Sequence, residues 1–254
     1  MRIVYSLFFS VAALALLSFT TMPVHASETD SRIEGTAKQT YVFKTHLLND
    51  DIKITSKDGA VTLTGLVADE SHKALAQDTV AGLPGVTHVD NRLEIKGAPP
   101  SANSDAWLRD KVKITLLFHS SVSASRTEVD VTDGIATLRG NANSFAQKQL
   151  ATEYAMDVDG IKQVKNEMTV LTTPIQERTF VEKVDDASIT AQVKMTLLYH
   201  RSTSAVKTSV TTKNGIVTLS GKASNADEIK LATKLASDVI GVNSVKNLMS
   251  IESP

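Results

Sequence analysis

The chain has 254 residues, carries 27 Lys and Arg against 28 Asp and Glu, and contains no cysteine. A formal net charge of −1 argues against a basic nucleic-acid binder. With no thiol to staple the fold, stability has to come from packed apolar cores.

The chain opens with Arg2 and a nearly unbroken apolar run, Ile3–Phe19, then Pro23 and the small-x-small pattern Val24-His25-Ala26. This pattern predicts a secretory signal peptide over residues 1–26, cleaved after Ala26. No second long apolar run follows, and no cysteine stands after the leader to take an acyl chain. The expectation is a protein soluble in the periplasm of a diderm cell, or secreted.

Beyond the leader one line recurs: "GAVTLTG" at Gly59–Gly65, "GIATLRG" at Gly134–Gly140 and "GIVTLSG" at Gly215–Gly221. The second glycine of each line is followed at one constant separation by Gly85, Gly160 or Gly241, and then by Asn91, Asn166 or Asn247. Upstream, "VKITLLFH" (Val112–His119) matches "VKMTLLYH" (Val193–His200), with "FKTHLLND" (Phe43–Asp50) as a poorer third copy. That match places Gln39 where a core aliphatic belongs and shortens the connection to the glycine line in the first copy. The first unit therefore reads as a degenerate or capping one. The units fall at residues 31–96, 104–171 and 185–252. The Pro-rich stretch 97–103 ("GAPPSAN") and the mixed stretch 172–184 are linkers between domains.

Within the second unit Asp105 is a plausible helix N-cap, and Leu108, Val112, Thr115 and Leu116 fall on one helical face. Asp186, Ile189, Val193, Thr196 and Leu197 repeat this in the third. Alternation at Val129, Val131, Ala136 and Leu138 around Asp133-Gly134 predicts a β-hairpin with a tight turn. The first glycine of each line is then the turn residue, and the second closes the strand. A second helix carries Leu150, Ala151, Tyr154, Ala155 and Val158, with Gly160 and Gly241 as left-handed C-terminal caps. A last strand alternates Val164, Met168 and Val170 inward. The fold class is α+β: three tandem α-β-β-α-β domains, each with two helices on one face of a three-stranded mixed sheet. Units this small are near the limit of independent stability, so contacts between them are expected to help.

The helix ending in "VKxxLL", the line "GxVTLxG", an alanine-rich helix and "GVxxVxN" together resemble the BON domain, over about four fifths of the chain after the leader. The resemblance implies binding rather than catalysis: contact with anionic phospholipid and support of envelope integrity under osmotic stress. For soluble members it also implies chaperone-like shielding of unfolded outer-membrane proteins. It implies no cofactor.

Searching the residues for chemistry gives no catalytic constellation. Gly221-Lys222 resembles a phosphate loop only faintly: the glycine spacing is one residue too long, and Ala223 stands where a hydroxyl should hold magnesium. His46, His72, His88, His119 and His200 show no metal-ligand spacing. His119 and His200 are equivalent and close a helix, where the helix dipole favours a cation. The only tryptophan, Trp107, lies about 100° from the core stripe and heads a second stripe with Lys111, Ile114 and Phe118, beside Arg109 and Lys113. Trp among cations suits a weak, salt-sensitive contact with anionic lipid. The same stripe also suits packing against a neighbouring repeat or linker, or an exposed protein-binding patch. The oligomeric state expected is a monomer.

Overall fold

The computed structural model describes residues 24–97, 100–122, 127–171, 183–203 and 207–252. The expected leader lies outside the described residues up to position 23, as does most of the second linker.

Repeat one comprises α1 (Val24–Gln39), α2 (Tyr41–Thr45), β1 (Asp51–Lys57), β2 (Ala60–Val67), α3 (Glu70–Ala81) and β3 (His88–Ile95). Repeat two comprises α4 (Asp105–Phe118), β4 (Thr127–Thr132), β5 (Ile135–Ala142), α5 (Phe145–Met156), β6 (Gln163–Asn166) and β7 (Thr169–Val170). Repeat three comprises α6 (Asp186–Tyr199), β8 (Thr208–Lys213), β9 (Ile216–Ala223), α7 (Ala226–Ser237), β10 (Ser244–Asn247) and β11 (Ser250–Ile251). In every sheet the second strand is central, antiparallel to the first and parallel to the last. The architecture is the α+β one expected.

The hairpin turns form where Asp-Gly or Asn-Gly permits positive φ at two successive residues: 54° and 77° at Asp133 and Gly134, 53° and 73° at Asn214 and Gly215. A carboxylate holds each turn. Asp105 accepts from the backbone N–H of Asp133 (2.7 Å) and Gly134 (2.9 Å). Asp186 does the same for Asn214 and Gly215, and Asp30 for Asp58 and Gly59. These hydrogen bonds, the Gly59 N–H foremost for Asp30 and the Gly134 N–H for Asp105, hold both carboxyls below the usual range. Asp105 is therefore not the N-cap of its helix. Ser104 caps α4 and Asp185 caps α6, each accepting from the N–H three residues on. The carboxylate one position later is turned outward to clasp the hairpin.

Two further expectations are corrected. Gly65, Gly140 and Gly221 do not end their strands, which run on to Val67, Ala142 and Ala223. They sit inside the strand at φ 121°, 113° and 123°. A Cβ on Gly65 would stand 1.9 Å from the carbonyl oxygen of Asp51, and one on Gly221 would stand 1.9 Å from that of Lys207. The glycine is there because the neighbouring strand's backbone crosses too close for any side chain. Gly160 and Gly241 are left-handed but are not the caps. Asp157 and Asp238 cap α5 and α7, and the glycines follow in the next turn.

The first repeat is in better register than its motif suggests. Asp30, Gly59 and Gly65 stand 75 residues before Asp105, Gly134 and Gly140, with no gap. On that register Ile33, Ala37 and Leu47, all buried, replace Leu108, Val112 and Val122. Gln39 is not a core position, and the hairpin connection is not shortened. What distinguishes repeat one is a break: α1 stops at Gln39 and Thr40 caps a new turn, α2.

The repeats do not hang as beads. One continuous core joins repeats two and three through Leu108, Val112, Leu116, Ile189, Val193 and Leu197. A second core combines repeat one with Ile114 and Phe118 of α4 and with Ala187, Ala191, Met195 and Tyr199 of α6. Each fully buried Val, Leu, Ile, Phe or Met side chain contributes about 1.5–3 kcal/mol, so the shared cores add stability that an isolated repeat would lack.

Candidate binding face at the repeat junction

Repeats two and three meet about a pseudo-two-fold relation, residue i of one matching residue i + 81 of the other. His119 bridges to Val239, and its equivalent His200 bridges to Val158. Ser120 N–H donates to the Asp238 carbonyl, and Arg201 N–H to that of Asp157, both at 2.9 Å. Ile240 N–H donates to Phe118, and Asp159 N–H to Tyr199. Such reciprocity is the mark of an isologous interface, here built within one chain.

Histidine and aspartate decorate this axis. His119 Nδ1 lies 3.1 Å from Asp238 Oδ2, and its ring stacks on Tyr154 at 3.7 Å. The Tyr154 and Ser121 hydroxyls also donate to Asp238. Burial works against this carboxylate, but hydrogen bonds from His119, Ser121 and Tyr154 bring it down to about 2. The partner pair, His200 Nε2 and Asp157 Oδ2, is looser at 3.4 Å. Burial pulls the His200 imidazole below its ordinary value against the pull of Asp157. The two histidines thus face a carboxylate across the interface, and at His200 burial disfavours the cation expected at a helix end. At the corresponding positions repeat one has Lys44 and Gly82, so it cannot join in this exchange. His and Asp recurring in repeats two and three and missing from repeat one was the signal available in the sequence.

Repeat one docks elsewhere, across the second stripes of α4 and α6. The break at Thr40 frees two backbone N–H groups: Tyr41 donates to Asp185 (2.7 Å) and Val42 to the Ser188 hydroxyl (3.1 Å). The Tyr199 hydroxyl donates to Ser71 (3.1 Å), and Lys194 pairs with Asp78 (3.2 Å). Burial pushes the Tyr199 phenol up to about 12. His46 sits between the rings of Tyr41 and Phe118, with centroids at 5.5 and 5.4 Å. Burial first, then His72, takes its imidazole down to about 4.

The stripe headed by Trp107 is therefore not one open face. Ile114 and Phe118 are 4% and 0% exposed, inside the core shared with repeat one. Lys111 is only 9% exposed, its ammonium 3.4 Å from the Trp107 ring centroid and 4.9 Å from that of Tyr199. Burial lowers its pKa, with Asp159 opposing. Trp107 is half-buried, Arg109 pairs with Asp110 at 2.9 Å, and Lys113 is exposed. What remains on the surface is an edge of one aromatic ring and two cations.

The other sequence candidates have local roles. Asn166 Nδ2 donates to the Lys148 carbonyl and to Thr152, and its Oδ1 accepts from Met168 N–H, stapling the last strand to α5. Asn91 and Asn247 do the same in their repeats. Lys222 reaches Ser250 at 3.0 Å from a strand, not from a phosphate loop. Among the described residues no cluster of three or more His, Asp or Glu is placed to hold a metal, and no helix is long and apolar enough to cross a membrane.

The family model of the BON domain matches residues 29–97, 104–172 and 185–253. Osmotically-inducible protein Y of Escherichia coli strain K12 is 30% identical over 143 residues, 55% of this chain and 71% of the relative. Outer membrane lipoprotein DolP of Haemophilus influenzae is 29% identical over 115 residues, 44% of this chain and 59% of that protein. A structure of CdsD, a structural protein of the type III secretion system of Chlamydia trachomatis, aligns over 87% of this chain and 90% of its own. At a TM-score of 0.25 and 17% identity that likeness carries no argument.

Proposed function

Since the chain belongs to the BON-domain family and carries three copies of the domain, we propose that it is a non-enzymatic periplasmic binding protein of osmotic-type envelope stress, and that it contacts anionic phospholipid. The likeness to an osmotically inducible protein and to an outer membrane lipoprotein supports the envelope role. The observation that carries the lipid contact is the edge of α4. There the half-exposed Trp107 ring holds the Lys111 ammonium at 3.4 Å, with Arg109 and Lys113 beside it. An amphipathic ring among cations is the composition that settles at a headgroup layer.

Co-sedimentation with vesicles of phosphatidylglycerol, set against phosphatidylcholine, tests this reading. Binding should be selective for the anionic lipid, should weaken with salt, and should fall several-fold in Trp107→Ala and Lys113→Glu. Wild-type affinity in both variants would remove α4 as the contact. The alternative, a chaperone shielding unfolded outer-membrane proteins, calls for a long open surface. The closed packing of the repeats does not supply that long open surface.

A further inference from the structure

One position of the repeat does a different job in repeat one. At the third residue of α3, α5 and α7 stand His72, Gln147 and Glu228. Gln147 and Glu228 reach back to accept from the backbone N–H of Asn143 and Ser224, each at 2.6 Å, and so complete the helix start. His72 does not. The equivalent N–H, that of Ala68, donates instead to Asp50 at 2.8 Å. The Asp50 side chain is 2% exposed, and its other oxygen lies 2.5 Å from His72 Nδ1. Where repeat one has Asp50, the other repeats have Ser125 and Val206. The carboxylate and the histidine therefore come as a pair: one takes over the capping and the other is released from it.

The released imidazole has a definite chemistry. A carboxylate only accepts, so Nδ1 carries the proton and neutral His72 keeps its lone pair on Nε2. The ring, 21% exposed, lines a cleft of about 240 Å³ between repeats one and two. With Nδ1 turned to Asp50, the nitrogen left to the cleft is Nε2. A cavity of about 150 Å³ holds a benzene ring, so this one accommodates a substituted ring. Its apolar wall is Ile114 and Leu117 of α4 and Val129 of β4, and its rim carries Asp69, Asp110 and Lys113. Two carboxylates against one ammonium disfavour an anion. Both carboxylates also hold partners already, Asp69 the His72 N–H and Asp110 the Arg109 guanidinium, which leaves little for a cation. What remains is one fixed acceptor beside an apolar wall, the make-up of a small-molecule pocket.

We propose that this cleft is a binding site for a small uncharged amphipathic molecule of the phenol class. Its hydroxyl donates to His72 Nε2, and its apolar body lies on Ile114, Leu117 and Val129. Asp50 is a positioning residue, which fixes the tautomer of His72 and frees it from the helix start. The site does not depend on the lipid reading.

Calorimetric titration of the whole chain tests this with two probes, para-ethylphenol and para-ethylanisole, in which a methyl group replaces the hydroxyl hydrogen. Wild type should bind the phenol about fivefold more tightly than the ether, the margin of one hydrogen bond. Amide chemical shifts should move at Leu117 and Val129. In His72→Phe, which keeps a ring and removes both nitrogens, the two probes should bind alike. No binding of the phenol at millimolar concentration, or shifts that bypass the cleft, overturns the site. Equal binding of the two probes by wild type overturns the bond to His72, and this comparison stands even where the variant does not fold. Tighter binding of para-ethylbenzoate or of phenethylamine overturns the uncharged class.

Discussion

At the scale of single residues, the recurring glycines and asparagines are explained by backbone geometry and not by ligands. Gly221→Ala would set a methyl group 1.9 Å from the Lys207 carbonyl at φ 123°. Overpacking and backbone strain together should cost about 2–4 kcal/mol, read as a lower urea midpoint. Asn166→Ala removes two donated bonds and one accepted bond and leaves the Met168 N–H without its partner. The expected loss is about 1–3 kcal/mol by the same measurement. Asp105→Ala unclasps the hairpin turn from α4 and should lower Tm by a few degrees, whereas Ser104→Ala acts on the helix start alone. These positions were visible in the sequence as repeats. Their roles were not, because a carboxylate at a helix start reads as a cap until the hairpin lying over it is known.

At the scale of elements, the order helix, hairpin, helix, strand was legible because each element carries a local signal: a 3.6-residue stripe, alternation, or an Asp-Gly turn. The register of repeat one was not legible from its motif. "FKTHLL" resembles "VKITLL" by composition, but the constant spacing from Asp30 to Gly59 identifies Ala37–Lys44 as the true counterpart of Val112–His119. Spacing outranks similarity here, since the clasp between helix start and turn fixes the distance. The second stripe of α4 was also legible as apolar. What covers it was not, since long-range packing leaves no periodicity in the chain. The exchange between repeats two and three gives a test at this scale. Asp238→Asn and His119→Phe should each destabilise by about 1–2 kcal/mol, moderated by partial exposure of the carboxylate. The double variant should cost clearly less than the sum. Full additivity would show that the pair does not couple the repeats.

At the scale of the whole molecule, stability and closure are one property, because the helices of one repeat complete the cores of the others. His46 lies in the closure between repeats one and two and gives it a pH dependence. Its folded-state pKa is depressed to about 4 from an ordinary 6.5, so between these values the unfolded chain binds the extra proton. Stability is full above pH 6.5 and falls as pH drops toward 4, by at most about 3 kcal/mol from this group. Urea midpoints across that window should slope downward toward acid, and His46→Phe should flatten the slope. Asp238 acts lower, losing its contribution between 3.8 and about 2, so the two are separable.

The central claim is that three repeats close into one body with repeat one on the α4–α6 face. Small-angle X-ray scattering of the chain without its first 26 residues tests it most directly. A closed body of this length should give a radius of gyration below about 20 Å. A value of about 25 Å or more, as for domains strung on open linkers, would contradict it.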